Sequence, residues 1–395
     1  MSHGNRDGLP PNLRREWLSA SADCHGDDSN IFTLMNYNIL ADCHIKDGWY
    51  PYCPQGFLKM SDRHRALMLE IKHHDPHIVC LQEVGPDYFA HQLNPEMHSL
   101  GYHGTYMKKV RGVMEGEATF YKKNRFEMLE EKGVVFNELA AKACEKAKLS
   151  DEAQESVLSY VNQDHLVLLT KLQDIKTKKR VSIGNTHLLF GDYKNIDVIT
   201  LQAGLAINAL GEFAGGPEHA HILCGDFNQE PNMTGYQLMH DGKLDANGEQ
   251  FIRQYPIKIG SESKSLLDIL PLCFKHNLPG LKSAYKTVAG QESPFSDVDD
   301  CVGAEWSADM VELPAQISKP YPPKRPRKPY LTDPKKYGDS KFIASLDYQW
   351  FDSESLCCYG VLEMVDEREI FPFYACPNEY FPSDHLPIIG KYKFM

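Results

Sequence analysis

Long apolar runs are missing from this chain of 395 residues. None approaches the ~18 residues needed to cross a bilayer, so no membrane-spanning helix is expected. Met1 to Asn30 is polar, rich in Gly, Ser and Asp, and has no apolar core segment. It does not read as a secretory signal, and Arg14 and Arg15 beside Asp27 and Asp28 do not make a transit peptide. The expectation is a mobile tail over residues 1–30 on a cytoplasmic protein. Positive charge is also short: 42 Lys and Arg stand against 54 Asp and Glu, a net charge of −12. That argues against a basic coat for long duplexes and leaves room for a local basic rim around an acidic pocket. The eleven cysteines are odd in number and contain no Cys-x-x-Cys pair. Cys80 and Cys224 sit inside apolar runs, where a thiol packs as a small hydrophobe, so a reducing compartment is expected. Cys357 and Cys358 are assigned no role. There is no H-E-x-x-H motif, no Walker loop, no G-x-S-x-G and no G-x-G-x-x-G. Zincin, nucleotide-motor, serine-hydrolase and Rossmann readings therefore lack their parts.

What is present is one arrangement, repeated. Ala220 to Glu230 reads A-H-I-L-C-G-D-F-N-Q-E. A short buried strand stops at Gly225 and delivers a carboxylate, Asp226, and an amide, Asn228. Sheet enzymes place chemistry at such ends, because the end opens to solvent while the strand stays rigid. Asn30 to Leu40 gives a strand ending near Asn38. His77 to Leu81 gives another, followed at once by Gln82 and Glu83. Arg180 to Phe190 ends with Asn185, Thr186 and His187. The helix Ile199 to Phe213 joins it to the Asp226 strand as a βαβ unit. Asp347 stands within Ser345 to Phe351, and Asp384 with His385 opens the last strand. Glu117 to Tyr121 and Arg125 to Leu129 predict a hairpin turning at residues 122–124. Glu138 to Asn162 predicts one or two surface helices. Gly290 to Gly338, rich in Pro and Asp, reads as an exposed insertion. Its cluster Lys324, Arg325, Arg327 and Lys328, between Tyr321 and Tyr330, either holds phosphates and stacks a base or is a solvated proline-rich loop.

Carboxylates, two imidazoles and amides, with almost no thiols, favour a hard cation, Mg²⁺ or Mn²⁺. The set suits phosphoester hydrolysis. A metal on Glu83 and Asp384 would polarise a phosphoryl oxygen. Asp226 would orient or deprotonate water, Asn228 and His187 would donate to the phosphate, and Asp347 would hold His385 in one tautomer.

The ordered strings Y-N-I-L, L-Q-E-V, N-T-H-L, G-D-F-N, L-D-Y and S-D-H resemble the endonuclease/exonuclease/phosphatase superfamily across residues 31–394. Within it the chain looks like the branch of carbon-catabolite-repressor deadenylases, nocturnin, Angel proteins and 2′-phosphodiesterase. Y-P-Y-C-P from Tyr50 and E-G-E-A-T-F-Y-K-K from Glu115 are most similar to the last. The resemblance implies an α/β fold, a four-layer α/β/β/α sandwich over residues 31–395, with the site at one end of two packed sheets. It implies Mg²⁺ on Glu83 with Asn38 nearby, and Phe342 stacking on adenine. Asn185, Lys324 and Arg325 complete the expected substrate-binding set. The expected activity is that of a monomeric 3′-end phosphodiesterase on RNA poly(A) or 2′,5′-linked oligoadenylate. A phosphatase of cyclic 2′,3′-phosphate ends or a small nucleotide is the first alternative, and an inactive RNA-binding adaptor the second.

Overall fold

The computed structural model describes residues 8–20, 30–300 and 342–395, apart from positions 163, 192, 193, 217, 218 and 279. Its logic is visible in the strand Ile31–Asn38. Phe32 and Leu34 point to one side and Met35 and Tyr37 to the other, and all four are buried. A strand apolar on both faces must be covered on both.

Two sheets meet this demand among the described residues. One has seven strands in the spatial order Trp17–Ser19, Leu356–Leu362, Ile388–Phe394, Ile31–Asn38, Ile78–Val84, Gly116–Lys122, Tyr102–Lys108. The other has six, ordered Leu281–Ser283, Asp347–Asp352, His221–Asp226, Arg180–His187, Leu166–Asp174, Phe126–Val135. Both are mixed. Ile31–Asn38 runs parallel to Ile78–Val84, and Arg180–His187 parallel to His221–Asp226; the other pairings are antiparallel.

The sheets pack face to face through Phe32, Leu34, Ile78, Cys80, Ile183 and Ile222. Outside the first, the helix Met60–His74 lays Leu67, Met68 and Ile71 on Met35 and Val79. Outside the second, Ile196–Ala214 lies against Leu223 and Trp350, joined by Phe136–Lys146 and Asp151–Tyr160. Helix, sheet, sheet, helix is the expected four-layer sandwich.

Four expectations change. First, residues 8–20 are anchored, not tail-like. Leu13 is buried, Arg15 Nε donates to the Glu363 carbonyl at 2.7 Å, and Trp17–Ser19 pairs with Leu356–Leu362. Second, the predicted hairpin is a crossover. Gly116–Lys122 belongs to one sheet and Phe126–Val135 to the other. Arg125 pairs with buried Asp174 at 2.7 Å, and the Phe126 ring sits edge-on to Phe32, so both neighbours draw the chain into the inter-sheet layer. Third, the insertion begins later than residue 290. Phe295 and Val298 are buried, and Asp297–Asp299 pairs with Phe342–Ala344. Fourth, Ile196–Ala214 is by length and composition apolar enough to span a bilayer, but 72% of its apolar window is buried in the protein. Eight described cysteines are thiols, whereas Cys357 is disulfide-bonded.

Candidate active site

Strand register alone lines up the first three groups. His187 lies opposite Asp226 on the parallel neighbour, and Asp347 lies opposite Asp226 on the antiparallel one. Gly225 makes this approach possible: its φ is +154°, and a Cβ there would fall 1.8 Å from the Thr186 carbonyl oxygen. The facing sheet contributes Asn38 and Glu83. The pairing of Ile78–Val84 slips between Leu81 and Val84, and Glu83 within the slip has φ +58°. A bulge of this kind re-aims a side chain, here a carboxylate, out of the strand's alternation.

The groups converge on Asp226. Its Oδ2 accepts from Asn38 Nδ2 at 3.0 Å and lies 3.5 Å from both His187 Nε2 and His385 Nε2. Its Oδ1 accepts from the Asn228 backbone N–H at 2.9 Å. Asn228 has φ +49°, and its Nδ2 donates to the Leu188 carbonyl at 2.9 Å. The Asn38 amide also donates to Glu83 Oε1 at 2.9 Å, and Glu83 Oε2 accepts from the Ala41 N–H at 2.8 Å. On the other flank, His385 Nδ1 meets Asp347 Oδ2 at 2.8 Å, and Asn36 Nδ2 donates to Asp347 Oδ1 at 3.2 Å. Asp384 accepts from the Tyr50 hydroxyl at 2.7 Å and from Ser383 Oγ at 3.1 Å.

Burial sets the protonation states. It pushes Asp226 up to about 7, against the pull of the His385 charge. His385 is fully enclosed, which opposes charging, yet Asp347, Asp297 and Asp226 outweigh this and hold it well above its ordinary value as an imidazolium. His187 is driven well below its ordinary value by burial and then by the Lys109 ammonium, so it is neutral. The mouth thus holds a proton acceptor poised near neutrality, one charged imidazole and one neutral one.

Arg63 braces these parts from beneath. Its buried guanidinium donates to the carbonyls of Leu58 at 2.8 Å, Ile39 and Pro382 at 2.7 Å each and Leu40 at 2.5 Å. That ties the loop after Asn38 to the segment before Asp384.

The expected metal ligands are only partly drawn together. Glu83 and Asn38 touch, while the Asp384 carboxylate is taken up by Tyr50 and Ser383. Among the described residues no group of three or more His, Cys, Asp or Glu is spaced to hold a metal ion. The donor chemistry nonetheless fits a hard cation. The mouth offers carboxylate and amide oxygens, and buried Asp297 Oδ1 lacks a hydrogen-bond partner among the described residues. Glu83 and Asn38 are the residues that would hold it.

Asn185 is a correction. It is fully buried, and its Nδ2 donates to the carbonyls of Leu81 at 3.1 Å and Ala118 at 2.9 Å, while its Oδ1 accepts from Gln82 at 2.7 Å. It bolts one sheet to the other and presents nothing to a substrate. Phe342 is 39% exposed on the strand that pairs with Asp297–Asp299. Lys324 and Arg325 lie outside the described residues.

Sequence reasoning missed Asp297, Lys109 and Glu115. Asp297 reaches within 3.8 Å of His385 Nε2, and its only signal was an acid in a region read as loop. Lys109 is buried, 2.5 Å from Glu115 Oε1 and 3.4 Å from His187 Nδ1. No spacing flags it, although Glu115 opens one of the recognised strings.

Residues 35–385 match the model of the Endonuclease/Exonuclease/phosphatase family. Among curated proteins, the chain is 27% identical over 388 residues to the CCR4-Not complex 3′-5′-exoribonuclease subunit Ccr4 of Debaryomyces hansenii, covering 93% of this chain and 40% of that one. It is 27% identical over 380 residues to carbon catabolite repressor protein 4 homolog 1 of Arabidopsis thaliana, covering 92% and 58%. The chain spans about half the length of these relatives. Among solved structures, ANGEL2, described as a 2′,3′-cyclic phosphatase and complexed with adenosine-2′,3′-vanadate, aligns with TM-score 0.66 at 21% identity, covering 96% of this chain and 98% of that one. The human Nocturnin catalytic domain aligns with TM-score 0.56 at 20% identity, covering 98% and 100%.

Proposed function

The chain belongs to the Endonuclease/Exonuclease/phosphatase family, and from that premise we propose that it hydrolyses phosphodiester bonds at the 3′ end of RNA, releasing adenosine monophosphate from poly(A) or 2′,5′-linked oligoadenylate. The carrying observation is Asp226, a buried carboxyl at about 7 with two imidazole nitrogens 3.5 Å from one oxygen. In the proposed reaction Asp226 takes a proton from water as the water oxygen attacks phosphorus. The bond to the leaving ribose oxygen breaks, and that oxygen takes a proton from solvent. The His385 imidazolium, kept charged by Asp347, and the neutral His187 donate to the phosphoryl oxygens as charge builds on them. A divalent cation on Glu83 and Asn38 would, when bound, supply further charge to those oxygens; Mg²⁺ is the proposed metal, with Mn²⁺ an alternative.

The Ccr4 relatives, 3′-5′-exoribonuclease subunits by name, support the nuclease reading. The ANGEL2 likeness favours a second one, opening of 2′,3′-cyclic phosphate ends. Labelled oligoadenylates with 3′,5′ or 2′,5′ links, incubated with the purified protein and Mg²⁺, separate the two. A ladder of shortened products supports the nuclease, and phosphate release without shortening supports the phosphatase. Glu83→Ala and Asp226→Ala should each abolish turnover; activity surviving in both would end the site assignment.

A further inference from the structure

Beside the mouth lies a buried charge cluster that the reaction above does not use. Lys109 and Glu115 close the hairpin formed by Tyr102–Lys108 and Gly116–Lys122, where the Lys109 backbone N–H donates to the Glu115 carbonyl at 2.9 Å. Their side chains turn into the inter-sheet layer and pair there at 2.5 Å, with the lysine side chain 3% exposed and the glutamate 1%. His44 Nε2 lies 3.6 Å from Glu115 Oε1 and 3.9 Å from Glu83 Oε2, so the cluster reaches Glu83 as well. Its other end is Lys109 Nζ, 3.4 Å from His187 Nδ1.

The chemistry of that last contact is one-sided. A lysine ammonium carries three donors and no acceptor, whereas an imidazole nitrogen is a donor or an acceptor according to where its proton sits. A proton on His187 Nδ1 would set two donors against each other inside the protein, at a separation of 3.4 Å that is too short to admit a water between them. A competing acceptor, Glu83 Oε1, stands farther off, at 4.0 Å from Nδ1, and is already engaged by Asn38. On the opposite side of the ring, Nε2 faces Asp226 Oδ2 at 3.5 Å.

We propose that Lys109 is a positioning residue: anchored by Glu115, it fixes His187 as the tautomer with Nδ1 bare and the proton on Nε2, aimed at the reacting phosphate. Asp347 governs His385 from one side of Asp226, and Lys109 governs His187 from the other with the opposite charge. One ring is therefore held as a cation and its counterpart as a neutral donor, and the two cannot exchange roles.

The test is nuclear magnetic resonance of the full chain labelled with ¹⁵N-histidine, the His187 signals being identified by their loss in His187→Gln. The wild-type ring should show the Nε2–H pattern. Lys109→Arg, which keeps a cationic donor, should retain it. Lys109→Met should give a mixture of tautomers. A wild-type ring protonated on Nδ1 overturns the proposal without any variant, and an unchanged tautomer in Lys109→Met overturns it as well. The kinetic arm rests on the function proposed above. On labelled oligoadenylate, Lys109→Met should lower kcat by roughly 10–100-fold with KM little changed, and Lys109→Arg should recover most of the loss. A rise in KM alone, with kcat intact, would make Lys109 a substrate contact and sink the positioning role. If wild-type protein turns over no oligoadenylate, the functional reading fails, while the tautomer measurement still decides the role of Lys109.

Discussion

The layer between the two sheets has two ends built from the same strands, and they differ completely. At one end Phe32, Leu34, Ile78, Ile183 and Ile222 interlock as plain core. Further along the same faces stand Asn36 and Asn38, Gln82, Asn185 and His187, and Asp226. Nothing in the backbone announces the change; period-two alternation continues through it. Between the ends lies a band of buried amides. Gln82 donates to Asn36 at 2.8 Å and to Asn185 at 2.7 Å, and Asn36 passes a hydrogen bond to Asp347. The difference teaches how a dry core reaches charged groups: neutral amides bond to one another and then to the Asp347 carboxylate, so hydrocarbon grades into charge through neutral polar groups.

The largest expected effect breaks the polar end at its centre. Asp226→Asn removes the proton acceptor but keeps the hydrogen-bonding shape, and kcat should fall by about 10²–10⁴-fold without loss of thermal stability. Next comes a carboxyl that has left the amide band altogether. Asp197, buried in the helix Ile196–Ala214 with the Tyr160 hydroxyl at 3.1 Å, is pushed up by burial from 3.8 to about 7. Between pH 4 and 7 the unfolded chain releases this proton and the folded chain keeps it. Wild-type stability from this group is therefore fully present below about pH 4 and is lost as pH rises to about 7, by on the order of 3–5 kcal/mol. Denaturant unfolding across that window should show the slope, and Asp197→Asn should lessen it by that amount, Asp226 and Glu70, both pushed up to about 7 by burial, keeping the rest. Leu34→Ala attacks the apolar end and should cost about 2–5 kcal/mol in the same measurement while leaving kcat below the transition unchanged. Asn185→Leu strikes the band itself. It should cost about 1–3 kcal/mol and lower kcat as well, because the carbonyls of Leu81 and Ala118 lose their donor beside Gln82 and Glu83.

The same contrast explains what could be read in advance. Asn38, Glu83, His187, Asp226, Asp347 and His385 were legible because each breaks or borders an apolar run, and the structure gathers them. Asn185 was legible as polar but not as a bolt, since its partners Leu81, Ala118 and Gln82 belong to the other sheet. The crossover after Lys122 was misread as a hairpin for a related reason: a short polar turn looks the same whether the chain returns to its own sheet or leaves it. Asp297 was hidden by its Pro- and Asp-rich surroundings, and its isolated bridge to His385 and the 3.8 Å approach to that ring reveal it. Lys109 lay in a stretch with no periodic signal, and its function depends on Glu115 across the hairpin.

The strand Trp17–Ser19 has a consequence for handling the protein. It caps the outer edge of the seven-stranded sheet, and the Lys391 ammonium rests 3.7 Å above the Trp17 ring. Removing residues up to 20 would bare the hydrogen-bonding rim of Leu356–Leu362, a ready template for edge-to-edge association between molecules. Shortened versions beginning near Asn30 should therefore lose solubility before they lose turnover.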